Sequence, residues 1–419
     1  MIINPHFISL GPKPFKFTMN FNATTFQTDP TGCLTYADDC AGYTPVSSPP
    51  SSLGTCGVIG DWLMKADGTS DNPLLDKCFY ATFKNNGNGL ELYEKLNPQN
   101  LTQKIATWNT TTKEWETASG SSSITSYDTM FCIPTIYESS TATSISLSDD
   151  ENNGTAYAHT IGGHTYMYLA IGVYPTYVTS SVAYSKSDAT STVNITRPDF
   201  RTYSTGKTVA NGHAMIWNFH HWQLLRIMTI FAMKSFNGQS QIGQGGYTNG
   251  ARFSGHTNAM GPFAGSTYAT ADINTGMKAF VEDWWGHNEE FIDDIVVNNT
   301  ASTAHAVWAG QNAVPDDTYD ATNKVCLEDI GVTAGWNYAQ SINTAMPKWG
   351  MISTDGGSTT TGLCDGNYFY SSRQCPVLVG GYSQYVSSGA AGPSFLRAST
   401  TLSFTNGYYG ARLAFVFDI

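Results

Sequence analysis

The chain has 419 residues, enough for two or three domains. Hydrophobic residues make up 41% of it and charged residues only 13%, a balance that supports a sizeable core and excludes a disordered chain. The formal net charge of -12 argues against broad nucleic-acid binding, which depends on Lys and Arg neutralising phosphates. Few charges with abundant Tyr, Ser, Thr, Gly and Asn fit a β-rich protein of an extracellular or particle surface, for which saccharide, peptide or protein ligands stay open. No run approaches the roughly 18 uninterrupted apolar residues of a membrane span, so no membrane insertion is expected. The start, Met1-Ile2-Ile3-Asn4-Pro5-His6, lacks a charged segment followed by an apolar run, so no secretory leader is expected.

In chain order, Phe15–Phe21 alternates with period two and predicts a half-buried strand. Leu34–Ala41, Lys77–Phe83, Met130–Tyr137 and Tyr166–Tyr174 are further strand candidates. Pro45–Thr55, Thr117–Thr125 and Ser139–Gly154, rich in Ser, Thr, Pro and Gly, read as exposed loops between them. The pattern changes near residue 210. Over Met215–Phe236, Leu224, Leu225, Met228, Phe231 and Ala232 recur at spacings of three and four and predict a helix with one apolar face. Asn237-Gly238 supplies its stop. Lys278–Trp285 predicts a second short helix with Phe280, Val281 and Trp284 inward, and Tyr409–Phe417 a terminal strand.

Chemistry-bearing motifs are sparse. The eight cysteines include no Cys-x-x-Cys pair, which disfavours zinc ribbons and thioredoxin-like redox sites. Buried isolated thiols are expected, with Cys364 and Cys375 the pair to test for a disulfide. His220 and His221 are adjacent and lack the i, i+4 spacing of a helical metal pair. Gly243-Gln244-Gly245-Gly246 lacks the Lys-Ser/Thr of a nucleotide cradle. Asp149-Asp150-Glu151, Glu289-Glu290 and Asp293-Asp294 lack the order of a calcium loop and are expected on solvated surface. No catalytic residue, metal or cofactor is assigned.

Three clusters suit ligand contact: Trp336, Asn337 and Tyr338; Tyr368, Tyr370, Ser371, Ser372 and Arg373; and Tyr382, Ser383, Gln384, Tyr385, Ser387 and Ser388. Tyr and Trp offer large contact area while freezing only two torsions, and Ser, Gly and Asn add adaptable hydrogen bonds.

Several segments together resemble phage tail-fibre and receptor-binding proteins. They are Thr35–Tyr43, Asp128–Pro134, Pro198–Ser204, the helix after Trp222, Ser240–Gly245, Trp284-Trp285-Gly286-His287-Asn288, and the glycine-punctuated end from Gly380. The resemblance extends to the variable proteins of diversity-generating retroelements, which carry a C-terminal C-type-lectin fold of the formylglycine-generating-enzyme type. It implies an α+β, β-rich chain: a β region over 1–205 for virion attachment or assembly, then a C-type-lectin-like domain over 206–419 with one long helix and a small antiparallel sheet. It further implies a homotrimer on a virion, other virion proteins as neighbours, and a host cell-surface saccharide or protein bound by the three clusters. A structural virion component without receptor binding is the alternative reading. A formylglycine-generating-type oxidase is a second, and would need Cys364 and Cys375 as thiolates for Cu(I). Within this resemblance, Trp284, Trp285 and Phe291 are expected in the core with Arg412 beside them.

Overall fold

The computed structural model describes residues 14–22, 32–47, 51–245, 250–266, 276–301, 304–310, 324–330, 333–338, 358, 365–381 and 390–419, with only the backbone at 300, 301, 304–306, 308 and 324–330. The structure is mostly β, and strands far outnumber helices among the described residues. Among the described residues there are three α-helices, the last of them a single turn. This corrects the expected lectin-like α+β fold. The reason is visible in the sheets, which reach nine and eight strands, the larger built from both halves of the sequence.

Period-two alternation builds the first sheet. Lys16–Phe21 turns Phe17, Met19 and Phe21 inward. It pairs antiparallel with Leu34–Asp38 on one side and Ser144–Ser148 on the other, and Tyr137–Thr141 completes four strands. The last two strands overlap the segment expected as a Ser-rich loop. Ser-Ile-Ser-Leu-Ser keeps the alternation that a sheet requires, with Ile145 and Leu147 buried.

A second body is a closed barrel. Its seven strands run in the order Thr208–Val209, Gly212–Ile216, Leu413–Phe417, Tyr168–Gly172, Asp128–Pro134, Phe79–Asn85 and Leu90–Asn97, and a parallel Val209–Leu90 pairing closes the ring. Asn100–Asn109 and Glu114–Ser121 extend it as a hairpin. Phe79, Phe83, Met130, Leu413, Phe415 and Phe417 cluster on one face, with Phe83 edge-on to both Phe415 and Phe417 at centroid distances of 5.3 and 5.2 Å. Tyr80, Phe131, Leu169, Ile171, Ala414 and Val416 face the main core instead. Both faces of the terminal strand are therefore buried, and Leu-Ala-Phe-Val-Phe reads as a continuous apolar run. Its place between Tyr168–Gly172 and Gly212–Ile216 crosses the sequence boundary expected near residue 205.

The third body is an eight-stranded sheet. Along its path lie Lys324–Ile330, Ala304–Gly310, Glu289–Ala301, Gln374–Gly380, Gly392–Ala398, Gly366–Phe369 and Gly335–Tyr338, with Tyr409–Ala411 pairing parallel to Glu289–Ala301. Among the described residues, Gly335–Tyr338 is the outermost strand on its side of this sheet.

Helix α1, Arg197–Thr205, begins where the Thr196 side chain accepts the Asp199 N–H and Pro198 occupies the first turn. Helix α2, Phe219–Met233, lies wholly inside: all fifteen residues are buried. It starts later than expected because Gly212–Ile216 is a barrel strand. The Asn218 carboxamide accepts the His221 N–H at 3.0 Å, and His221 Nδ1 accepts the Asn218 N–H at 3.3 Å. The helix ends at Lys234, which is left-handed, and Asn237 instead caps the short turn that follows. On one side Phe231 meets Phe17 of the first sheet; on the other His220 Nε2 is 2.7 Å from the Gly310 carbonyl of the eight-stranded sheet. Buried between sheets, the helix has no polar face to solvate.

Lys278–Trp285 is not helical. It forms the short strands Lys278–Ala279 and Val281–Glu282, with Phe280 and Asp283 at positive φ. Trp284, Trp285 and Phe291 are fully buried as expected. Arg412 stands where the chain passes from Tyr409–Ala411 in the eight-stranded sheet to Leu413–Phe417 in the barrel. Its guanidinium donates to both carboxylate oxygens of Glu290, at 3.0 and 2.6 Å. It also donates to the carbonyls of Gly172, Val173 and Glu282 at 2.8–3.1 Å.

Arg412→Met leaves the Glu290 carboxylate and three carbonyls without this donor, and is expected to lower unfolding free energy by about 3–5 kcal/mol. Arg412→Lys should recover only a minor part, because an ammonium cannot reproduce the planar fork. Urea titrations of both variants measure this; for Arg412→Met, stability within about 1 kcal/mol of the parent would contradict the assignment.

Candidate functional site

The outermost strand Gly335–Tyr338 pairs antiparallel with Gly366–Phe369, setting Trp336 opposite Tyr368. Trp336 is 39% exposed, a large side chain left in water on that strand. Its indole meets the Tyr368 ring edge-on at 5.2 Å and lies near-parallel to Tyr338 at 6.5 Å. A glycine makes the seat: a Cβ at Gly366 would stand 2.8 Å from the indole Cζ3, closer than carbon atoms pack.

The parallel neighbour, Gly392–Ala398, places Arg397 beside Tyr368. The Arg397 guanidinium is 5.7 Å from the Tyr368 ring and 5.8 Å from that of Tyr409, within cation–π range. Tyr409 in turn contacts Phe404, 43% exposed, at 5.9 Å, and half-buried Tyr408 at 6.1 Å. Trp336, Tyr368, Arg397, Tyr409 and Phe404 thus form one row, capped at each end by an exposed aromatic side chain.

Glu289 lies under Arg397. Its carboxylate oxygens are 3.3 and 3.4 Å from Arg397 Nη1, while Arg397 Nε donates to Ser399 Oγ at 2.7 Å. Burial pushes the Glu289 carboxyl up to about 7, against the opposing pull of Arg397. Glu290 is likewise raised by burial. Asp293 accepts a bidentate pair from Arg201, Nε at 2.7 Å and Nη2 at 2.6 Å. The acidic pairs of this strand are therefore buried and largely arginine-bound, not solvated as expected. The charge partners come from residues about a hundred positions away, beyond any local pattern.

The expected ligand residues divide. Trp336, Tyr338 and Tyr368 share the row. Asn337 is buried and turned inward, its Nδ2 donating to the Thr333 and Gly335 carbonyls. Tyr370, beyond the strand end, packs on the main core under the Arg373 guanidinium at 3.9 Å. Ser371 is half-buried and Ser372 exposed in the following bend. Tyr382, Ser383, Gln384, Tyr385, Ser387 and Ser388 lie outside the described residues, as does Cys364. The flanking Ala390 carbonyl accepts the Gly366 N–H at 2.8 Å, next to the Trp336 seat. Arg397, Phe404, Tyr408, Tyr409 and Glu289 were not foreseen; Asn406-Gly407-Tyr408-Tyr409 repeats the Tyr-with-Gly/Asn composition of the other clusters and carried the signal.

Cys40, Cys56, Cys78, Cys132 and Cys375 are buried and free. Burial pushes Cys375 up to about 12, which opposes the thiolate that Cu(I) ligation needs. His221 is held well below its ordinary range by burial, consistent with the acceptor role of Nδ1 in the α2 cap. Among the described residues no group of three or more His, Cys, Asp or Glu side chains is placed to hold a metal, and no helix is long and apolar enough to cross a membrane. Scans of protein-family models and of curated proteins found no match.

Because the folded Glu289 carboxyl titrates above its unfolded value of 4.5, the folded state holds the extra proton between those values. The stability this contributes is present below pH 4.5 and lost as pH rises through about 7. Glu289→Gln removes that dependence. The variant's unfolding free energy, plotted against pH from 4.5 to 7, is expected to run more positively than the parent's by up to about 1.4 kcal/mol per pH unit. Superimposable slopes in a pH series of denaturant titrations would contradict the raised carboxyl.

Proposed function

We propose that the protein is a virion-displayed binder, a tail-fibre or tail-tip component whose aromatic row engages a host cell-surface saccharide or protein. One observation carries the binding part: Trp336 is exposed on its outermost strand yet fixed over Gly366, with Tyr368 and Arg397 continuing the surface. An aromatic side chain already held in place loses little freedom when a ligand covers it, so contact area goes further into affinity. Arginine beside aromatics is the composition of interface hot spots. The partly buried guanidinium brings positive charge to this surface, and the rings offer flat apolar faces. The virion placement rests on the sequence resemblance, and the reading does not need a lectin scaffold, since the eight-stranded sheet itself holds the row. A homotrimer with other virion proteins as neighbours is part of the same proposal.

Adsorption of the purified protein to candidate host cells and to a glycan array tests it. Trp336→Ala with Tyr368→Ala is expected to abolish adsorption, at about 2 kcal/mol or more per hot spot, while leaving the circular-dichroism spectrum and most of the melting temperature intact. A folded double variant that adsorbs like the parent would remove the row from function. Immunogold signal on capsids instead of tails would favour a structural virion component.

A further inference from the structure

A second surface, lined by none of the residues of the aromatic row, opens at one end of the barrel. Two adjoining clefts, each with about 270 Å³ of open volume, share Asn85, Leu90 and Tyr184. Together they reach the size at which small-molecule sites begin. Phe83, Leu90, Tyr127 and Tyr184 supply carbon surface, and three lysines, Lys84, Lys186 and Lys207, line them.

The charges do not cancel. Lys207 is buried, its Nζ 2.7 Å from Asp128 Oδ2 and 3.8 Å from the centre of the Tyr184 ring. Asp128 Oδ1 accepts the Ser185 N–H at 2.9 Å, so the one carboxylate of the clefts is already engaged. Glu91, cross-strand from Lys84, is taken by Lys113 Nζ at 3.4 Å and by the Asn86 carboxamide. Lys84 Nζ instead stands over Tyr93 at 4.7 Å and Tyr127 at 5.7 Å, and Lys186 Nζ over Tyr184 at 4.1 Å. Neither pairs with a carboxylate among the described residues. In a chain of net charge -12, two ammonium groups without carboxylate partners, positioned on aromatic rings around one apolar hollow, form a local positive field.

We propose that this double cleft binds a small amphipathic monoanion, an organic carboxylate whose head lies between Lys84 and Lys186 and whose apolar body covers Leu90 and Phe83. The head would exchange water for two charge-assisted hydrogen bonds, and the hollow would take the hydrocarbon from solvent. The site is independent of the aromatic row, so failure of either proposal leaves the other standing.

Octanoate is the probe, titrated calorimetrically into the full chain at low and high salt, beside octanamide and inorganic phosphate. Octanoate should bind saturably and more weakly as salt rises, octanamide at least tenfold more weakly, and phosphate without measurable heat. Lys84→Gln and Lys186→Gln touch no ion pair and should fold normally. Each is expected to weaken octanoate about tenfold, the loss of roughly one screened charge pair. In amide spectra of labelled protein, octanoate should shift Asn85, Ser126 and Tyr127 and leave Trp336 and Tyr368 unmoved. No saturable binding, octanamide equal to octanoate, phosphate competing on equal terms, or folded lysine variants with unchanged affinity would each overturn the proposal.

Discussion

The arrangement depends on a buried guanidinium at a crossing point. Arg412 is inaccessible to solvent, and its donors reach Glu290 in the eight-stranded sheet, Gly172 and Val173 in and beside the barrel, and Glu282 in the short strands between. A charge taken out of water is costly unless every donor finds an acceptor. Here the requirement fixes how the bodies meet. The chain changes sheets at this residue, so the geometry that satisfies Arg412 also sets the relation of barrel to sheet. A pair of apolar residues could fill the volume at positions 412 and 290 but would remove a donor from three carbonyls, of which Val173 keeps the Glu282 N–H.

The same strand repeats the device. From Glu289 to Asp293 its acids meet Arg397, Arg412, and Arg201 with Arg197 behind it. These partners arrive from α1, the Gly392–Ala398 strand and the terminal crossing. Bidentate pairs are specific about angle as well as distance, so they select one mutual arrangement of sheets that apolar packing alone would hold less selectively. Function then borrows from stability. Arg397 is positioned by Glu289 below it and by Ser399 beside it, and in that position it continues the row begun by Trp336 and Tyr368. A loop-borne arginine would lose more freedom on binding.

The two proposed surfaces differ in kind. The row is long and mostly aromatic, exposed at Trp336 and Phe404 with Tyr409 buried between them, and suits a large partner whose surface it can cover. The barrel end is concave and carries paired cations, suited to a small ligand that enters it. Helix α2 underlies the architecture without taking part in either, since its polar residues are spent on internal contacts. His221 completes the helix cap, and Arg226 donates to Ser394 and Gln223.

By itself the sequence determined local structure where one short-range rule dominates. Alternation set the Lys16–Phe21 strand, three-and-four spacing located α2, low charge with many turn residues gave a β-rich protein, and the aromatic clusters around Trp336 and Tyr368 were visible as composition. Thr196 and Pro198 at the start of α1 were equally legible, though no helix was expected there. Tertiary structure alone decided the remainder. The terminal strand joins the barrel because both of its faces can be buried there, and a five-residue apolar run does not say which strands will flank it. Glu289 and Glu290 look like solvated acids until Arg397 and Arg412 arrive from over a hundred residues away. Asn337 reads like its aromatic neighbours, yet the pleat turns alternate side chains to opposite faces, so Trp336 remains in water and Asn337 does not.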